Sequence, residues 1–295
     1  MSSGQADSGL RDDLALNLIS LALAEDLGAR GDITSQAFIP AESISLARIV
    51  AREECIASGL STAAEVFRKI DSQLEVTLCC AEGDRLAKGD SLMELKGSTR
   101  SILSGERTSL NFLGRLCGVA TLSRCYADVV KESGVTLLDT RKTTPGWRLL
   151  EKQAVETGGC TNHRMGLYDA VLVKDNHLAA LGSLEALPGV ISKLRGEHPG
   201  LPIEIEADTL EQTESLLAIK GIDVILLDNM DPGMMRKAVA LRNNLSPGVL
   251  LEASGGITLE TLRAIADTGV DRISVGALTH SAPNADLSLE LGHAF

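Results

Sequence analysis

Six cationic side chains fall between residues 141 and 174, namely Arg141, Lys142, Arg148, Lys152, Arg164 and Lys174, and His163 adjoins Arg164. The same stretch holds only three acids, Glu151, Glu156 and Asp169. A guanidinium pairs through two parallel hydrogen bonds with a carboxylate or phosphate, and a lysine adds a compact point charge. Arg141 closes one predicted strand, Lys174 closes the next, and His163–Arg164 lies in the loop between them. Residues so placed are expected to converge on an anion. Arg148 and Lys152 read instead as the solvated face of a helix.

Two further clusters share this placement. Glu206 and Asp228 each sit near the end of a successive predicted strand, where a pair of carboxylates could hold Mg²⁺, ribose hydroxyls or a developing positive charge. Glu204 shares the strand face of Glu206, so periodicity alone leaves the assignment between the two open. Salt bridges to the neighbouring cations are the other reading of this pair. The third cluster is Ser254-Gly255-Gly256, followed about twenty residues on by Val275-Gly276-Ala277. Glycines let backbone N–H groups approach an anion, and a predicted helix beginning at Leu259 offers its N-terminus nearby.

The elements that must position these residues can be read from the same rhythm. After Gly134, short apolar runs end repeatedly in polar clusters: VTLLDTRKT, AVLVKDNH, IEIEADT, VILLDNM, LLEASGG and RISVGALTH. Helical periodicity fills most of the intervals. Strand, polar cluster and helix in repetition predict a parallel α/β barrel or a doubly wound sheet, with chemistry at the C-terminal strand ends. Before Gly134 the pattern is mixed: a helix over about Leu10–Ala24 after a frayed first dozen residues, a strand over Ser45–Ala51, and a helix over Ser61–Ile70. An extended segment at Leu74–Leu78 and a strand at Ser91–Leu95 follow, then a long helix over about Ser98–Lys131. Gly105, Gly114 and Gly118 in that helix signal either close packing or a break. The expected division is a mixed α/β domain over 1–118 and a barrel over 119–280, with a closing helix at Ala285–Leu291 (within 281–295) returning to the first domain.

Composition narrows the function classes. The chain of 295 residues is 44% hydrophobic and 23% charged, with only 2% aromatic, as expected of a globular protein with an aliphatic core. Its net charge of −12 argues against binding nucleic acid or an anionic membrane surface, so any basic pocket must be local. The apolar stretch Leu14–Ala24 is flanked by acids and is too short to span a bilayer, so it reads as a helix face. The six cysteines form no CxxC pair and read as reduced thiols in a cytoplasmic protein. No GxGxxG, Walker A, HExxH or paired CxxC motif occurs.

Taken with their neighbours, these residues carry a resemblance. EDLGARGDITS (25–35), GERTSLNFLGRLCGVAT (105–121) and the 39-residue block DTRKTTPGWRLLEKQAVETGGCTNHRMGLYDAVLVKDNH (139–177) lead it. IEIEADTLEQ (203–212), LLDNM (226–230), EASGGI (252–257) and VGALTHS (275–281) extend it to the C-terminus. The chain closely resembles the quinolinate phosphoribosyltransferases. The resemblance implies an N-terminal α/β sandwich domain plus an incomplete seven-stranded parallel α/β barrel. It further implies phosphoribosyl transfer from 5-phosphoribosyl-1-pyrophosphate to quinolinate with decarboxylation, using Mg²⁺, in NAD biosynthesis.

By that resemblance Thr140, Arg141, Lys142, His163, Arg164 and Lys174 surround the quinolinate dicarboxylate, and Lys142, Lys174, Glu206 and Asp228 are catalytic. Glu206 and Asp228 face the ribose and the metal, directly or indirectly. Ser254, Gly255, Gly256, Val275, Gly276 and Ala277 cradle the 5′-phosphate. Arg107 reaches the active site of a partner subunit in a homodimer with shared sites; from the sequence alone it reads as a surface helix charge. A relative associated with molybdenum transport and a non-catalytic phosphosugar-binding barrel are the alternative readings. Tight quinolinate binding separates the first, and the full set of charged residues argues against the second.

Overall fold

The computed structural model describes residues 3–293, with side chains from 14 to 292. The first part of the chain runs α1 (Ser3–Leu27), α2 (Ile33–Phe38), β1 (Ile44–Ala51), β2 (Cys55–Ile56), α3 (Leu60–Ile70), β3 (Glu75–Leu78), β4 (Arg85–Leu86), β5 (Ser91–Ser98) and α4 (Thr99–Val130). Then strands and helices alternate: β6 (Thr136–Leu138), α5 (Arg148–Thr157), β7 (Val171–Val173), α6 (Asp175–Leu181), α7 (Leu187–Glu197), β8 (Ile203–Ala207), α8 (Leu210–Leu217) and β9 (Val224–Asp228). The chain ends with α9 (Pro232–Leu245), β10 (Leu250–Ser254), α10 (Leu259–Ala266), β11 (Arg272–Ser274), α11 (Ala277–His280) and β12 (Leu287–His293). Two compact units divide it. One comprises the chain up to Arg124, Thr143–Gly159 and the segment from Ser281 on; the other comprises Cys125–Lys142 and Cys160–His280. The position 118/119 lies inside α4, which runs unbroken past it.

In the first unit an antiparallel sheet in the order β12-β1-β5-β3 packs against two helices. Alternation along β1 turns Ala47, Ile49 and Ala51 inward, where they meet Phe67 of α3, Met93 and Leu95 of β5, and Ile102 and Leu113 of α4. The glycines of α4 mark close approach rather than a break. A Cβ at Gly105 would meet the Phe67 ring at 2.7 Å, and one at Gly118 would overlap the Pro283 carbonyl oxygen.

Three expectations for this unit need correction. The closing helix is a strand, β12, paired antiparallel with β1. Leu287, Leu289 and Leu291 recur every second residue, which is a strand's period, and β1 had an edge to offer. Helix α1 starts at Ser3, well before Leu10, since each residue added to an existing helix gains a hydrogen bond. Lys152 is not on a solvated face. It is buried on α5 with Leu150, Glu151, Ala154 and Val155, while Arg148 is half-buried and donates from Nε to Thr143 Oγ1 at 3.0 Å. Arg115 pairs with the buried Glu151 at 2.7 Å and donates to the Ala282 carbonyl at 2.9 Å.

In the second unit six strands pair in parallel in the order β6-β11-β10-β9-β8-β7, forming an incomplete barrel. Side chains at the helix starts help set the strand–helix boundaries. Thr209 and Gln212 cap α8 reciprocally, Asp231 accepts from the Gly233 and Met234 amides, and Thr258 caps α10. The seventh strand implied by the resemblance is reduced to one parallel bridge, Leu138–Thr161. The ladder stops there because the His163 amide donates to the Asp139 carboxylate at 2.8 Å instead of continuing along β6. Every residue of β8 is buried; Glu204 and Glu206 share one face, and Ile203, Ile205 and Ala207 the other.

The Gly118–Pro283 contact gives a direct test of how the segment after Ser281 is held. Gly118→Ala should lower stability by roughly 2 kcal/mol or more, as overpacking does. Gly189→Ala, in a helix where an added Cβ meets nothing within 4 Å, should hold or slightly raise the thermal midpoint. Equal midpoints for the two variants would refute tight packing of Pro283 on α4.

Candidate active site

The C-terminal strand ends of the second unit open into one cavity of about 660 Å³. Its lining includes Thr140, Arg141 and Lys142 after β6, His163 and Arg164 from the following loop, and Lys174 after β7. Glu206, Asp228, Ser254, Gly255 and Gly256 line it from the ends of β8, β9 and β10. The parallel register puts Ser254 beside Asp228 and Leu226 beside Glu206, which aligns these groups across neighbouring strands.

The cavity has a cationic side. Burial, and then the neighbouring Arg141 guanidinium, lower the pKa of Arg164. Two guanidinium groups crowded together in a half-open cavity constitute a site for an anion with more than one acidic function. Arg164 is braced by a bond from its guanidinium to the Ala170 carbonyl at 3.1 Å. The Lys142 side chain passes over Gly276, whose absent Cβ would meet Lys142 Cδ at 3.1 Å.

The acidic side faces it. Lys174 Nζ donates to Glu206 Oε2 at 2.9 Å, and the Asp175 amide donates to Glu206 Oε1 at 3.4 Å. Burial, and then the Glu206 charge, raise the pKa of Asp228. Carboxylate oxygens of Glu206, Asp208 and Asp228 lie within 4.8 Å of one another, an all-oxygen set suited to a hard divalent cation. Asp208 was not singled out from the sequence, because it falls beyond the strand end in a capping turn. Asn229 was also missed. Among the described residues it alone adopts a positive φ, 52°, without being glycine; it donates to Asp228 Oδ2 at 2.6 Å and to the Ser254 carbonyl at 2.9 Å. A Cβ at Gly255 would overlap the Asn229 side chain, so glycine is required there for space as well as for its φ of 94°.

Beneath the cationic side lies a third cluster. His163 Nε2 is 3.0 Å from Glu204 and 3.5 Å from Glu252, and both acids are buried. Burial alone would lower the His163 pKa, but the neighbouring Glu204 and Glu252 carboxylates push it up to about 9. Burial also raises the Glu204 pKa. The Arg164 amide donates to His163 Nδ1 at 2.7 Å, so that nitrogen keeps its lone pair and the ring proton sits on Nε2, toward the carboxylates. Glu252 was not singled out from the sequence, although its place two residues before Ser254 puts it on the inner face of β10.

Not all the expected residues join this cavity. Val275, Gly276 and Ala277 are absent from its lining; Val275 is buried and donates its amide to the Leu138 carbonyl at 2.8 Å, extending the ladder. Gly276 and Ala277 lie at the start of α11. Arg107 belongs to the first unit, where it is exposed on α4 in a groove lined also by Leu18, Glu25, Asp26, Phe112 and Trp147.

A parallel barrel that gathers guanidinium groups, paired carboxylates and a glycine loop at its strand ends defines an enzyme for multiply charged anionic substrates. Comparison with known families makes this specific: the C-terminal domain of quinolinate phosphoribosyl transferase matches residues 119–290 and the N-terminal domain matches residues 32–117. The chain belongs to the quinolinate phosphoribosyltransferase family. It is 41% identical to the carboxylating nicotinate-nucleotide pyrophosphorylase of Mycobacterium leprae, over 95% of this chain and 98% of that one. It is 39% identical to the decarboxylating quinolinate phosphoribosyltransferase 1b of Nicotiana tabacum, over 93% of this chain and 81% of that one. The solved nicotinate-nucleotide pyrophosphorylase of Francisella tularensis superposes with a TM-score of 0.87 at 37% identity, covering 95% and 96% of the two chains.

The buried cluster predicts a pH dependence of stability. A proton held in the folded state above the ordinary histidine value of about 6.5 stabilises fully below that value. This contribution is lost as pH rises through about 9. The thermal midpoint of the wild type should therefore fall more steeply between about pH 6.5 and 9 than that of a Glu204→Gln/Glu252→Gln double variant. Parallel curves would refute proton retention by the cluster.

Proposed function

We infer that the chain transfers the phosphoribosyl group of 5-phosphoribosyl-1-pyrophosphate to quinolinate and decarboxylates the adduct, giving nicotinate mononucleotide, pyrophosphate and CO₂ in NAD biosynthesis. The observation that carries this reading is the juxtaposition, in one cavity, of the Arg141–Arg164 pair with the Glu206–Asp228 pair and the Gly255–Gly256 loop. Arg141 and Arg164 take the quinolinate carboxylates, with Lys142 and Thr140 at the same rim. The acidic pair takes the ribose, and the glycine loop takes the 5′-phosphate.

In the reaction the pyridine nitrogen lone pair forms a bond to ribose C1 while the C1–O bond breaks and pyrophosphate leaves with its electron pair. Glu206 and Asp228 lie where their charge can stabilise the oxocarbenium-like transition state. The resulting pyridinium draws in the electron pair of the C2–carboxylate bond, CO₂ departs, and C2 takes up a proton. The chain's part is to hold two mutually repelling anions in register and exclude water. Lys174, bridged to Glu206 in the same cavity, can swing to a substrate carboxylate. The oxygen donors of Glu206, Asp208 and Asp228 fit Mg²⁺, which when bound offsets negative charge on the leaving pyrophosphate. No side chain needs to form a covalent intermediate.

Among the described residues no helix is long and apolar enough to cross a membrane. The six cysteines are free, which accords with a reducing compartment such as the cytoplasm. We propose that the active form is a homodimer, in which the exposed Arg107 of one subunit completes the cationic side of the other's site.

Two experiments test these readings. Purified protein with quinolinate, 5-phosphoribosyl-1-pyrophosphate and Mg²⁺ should form nicotinate mononucleotide and CO₂. Nicotinate should be used at least about tenfold less efficiently, since a cation left unpaired costs about 1–3 kcal/mol; equal efficiency would overturn the dicarboxylate assignment. For the dimer, Arg107→Ala and Lys174→Ala, each nearly inactive alone, are mixed under conditions of demonstrated subunit exchange. If Arg107 acts in trans, half of the dimers are mixed and each has one intact site, so about a quarter of wild-type activity returns. No recovery would reject the shared site.

A further inference from the structure

We propose that Glu204 and Glu252 are positioning residues for quinolinate: acting through the His163 ring, they fix the backbone that presents the Arg164 guanidinium to the substrate. This rests on the reading of the cavity as a quinolinate site. Two carboxylates buried inside the barrel are expensive to desolvate, and a shell of apolar side chains would fill the same space without that penalty. Yet Glu204 is 4% exposed and Glu252 fully buried. Neither belongs to the carboxylate set of Glu206, Asp208 and Asp228. Glu204 Oε1 and both Glu252 oxygens have no hydrogen-bond partner among the described residues. The contact these two acids share is the imidazole of His163, at 3.0 and 3.5 Å.

The ring is held from every side. Its own amide donates to Asp139 Oδ1 at 2.8 Å, Nε2 faces the two acids, and Nδ1 accepts the Arg164 amide at 2.7 Å. Both ring nitrogens are thus committed to protein groups, and the imidazole offers the cavity a carbon edge rather than a free N–H. Its hydrogen-bonding role runs along the chain instead, from Glu204 through the ring to the Arg164 backbone, with the Glu252 charge beside Nε2. That brace has a force to resist. Arg164 and Arg141 repel each other until a dianion arrives, and a two-pronged guanidinium contact is lost when the fork turns or retreats by a fraction of its length. The negative charge of Glu204 also offsets part of the repulsion on Arg164.

The test separates positioning from mere structural support. First, wild-type turnover of quinolinate is measured; its absence would count against the proposed function and not against this inference. In Glu204→Leu and Glu252→Leu the KM for quinolinate should rise about tenfold or more, the scale of one lost hydrogen bond to a charged group. The KM for 5-phosphoribosyl-1-pyrophosphate and kcat should change less than about threefold, because the acidic side of the cavity is untouched. Glu204→Gln, whose amide oxygen can still accept from Nε2, should recover most of the quinolinate affinity. Should a leucine variant fail to fold, Glu204→Asp keeps the charge but draws it back by one methylene, and it should raise the quinolinate KM in the same way. An unchanged quinolinate KM in a folded Glu204→Leu or Glu204→Asp, or an equal rise for both substrates, would overturn the proposal.

Discussion

Arg141 and Arg164 repel each other inside the cavity, and Glu206 and Asp228 do the same a short distance away. In water such groups would separate, each keeping its own hydration shell. They stay together because each is anchored to a strand end or to the loop beside one, and the strands are locked by parallel hydrogen-bond ladders. The stored repulsion is what an anionic substrate relieves on the cationic side and a divalent cation on the acidic side. Binding energy is thus set by the fold before any ligand arrives, which is the meaning of preorganisation in this molecule.

The two ends of the barrel strands divide the work accordingly. Before β9, Asp223 accepts from the Ile203 amide and pairs with Arg195 at 2.5 Å. Before β11, Asp271 accepts from the Leu251 amide and pairs with Arg242 at 2.6 Å. Each carboxylate there stitches a strand to its neighbour and has its countercharge in place. At the opposite ends the acids are crowded together, and Asn229, with its positive φ, bridges Asp228 and the Ser254 carbonyl. Strain and crowded charge concentrate where ligands bind, while Asp223 and Asp271 at the other end each have a guanidinium partner.

The buried cluster of His163, Glu204 and Glu252 extends this logic one layer inward. Polar groups inside a barrel are tolerated when their contacts are specific, and here they tie a loop to two strands that are not sequence neighbours of it. That loop carries Arg164, whereas Arg141 follows closely on the end of β6. A residue on a ladder inherits its position from backbone hydrogen bonds, whereas one in a loop needs side chains to hold it.

Much of this was legible in the sequence because it depends on local period. Alternation put Glu204 and Glu206 on one face of β8, the recurring strand–helix rhythm predicted the barrel, and the strand-end rule drew attention to Arg141, Lys174, Glu206, Asp228 and the Gly255–Gly256 pair. The block from Asp139 to His177 was specific enough to imply the family. Other features belonged to the tertiary structure alone. Period could not choose between Glu204 and Glu206, since both face inward; what separates them is depth, which depends on the stagger of neighbouring strands. Lys152 looks like any helix cation until α5 is packed with Glu151 and Lys152 both buried. Leu287–Leu291 alternates like a strand, but only the open edge of β1 makes it one. Asp208 and Asn229 became site residues through distances to side chains on other strands, and no one-dimensional pattern encodes a distance between elements that meet only after folding.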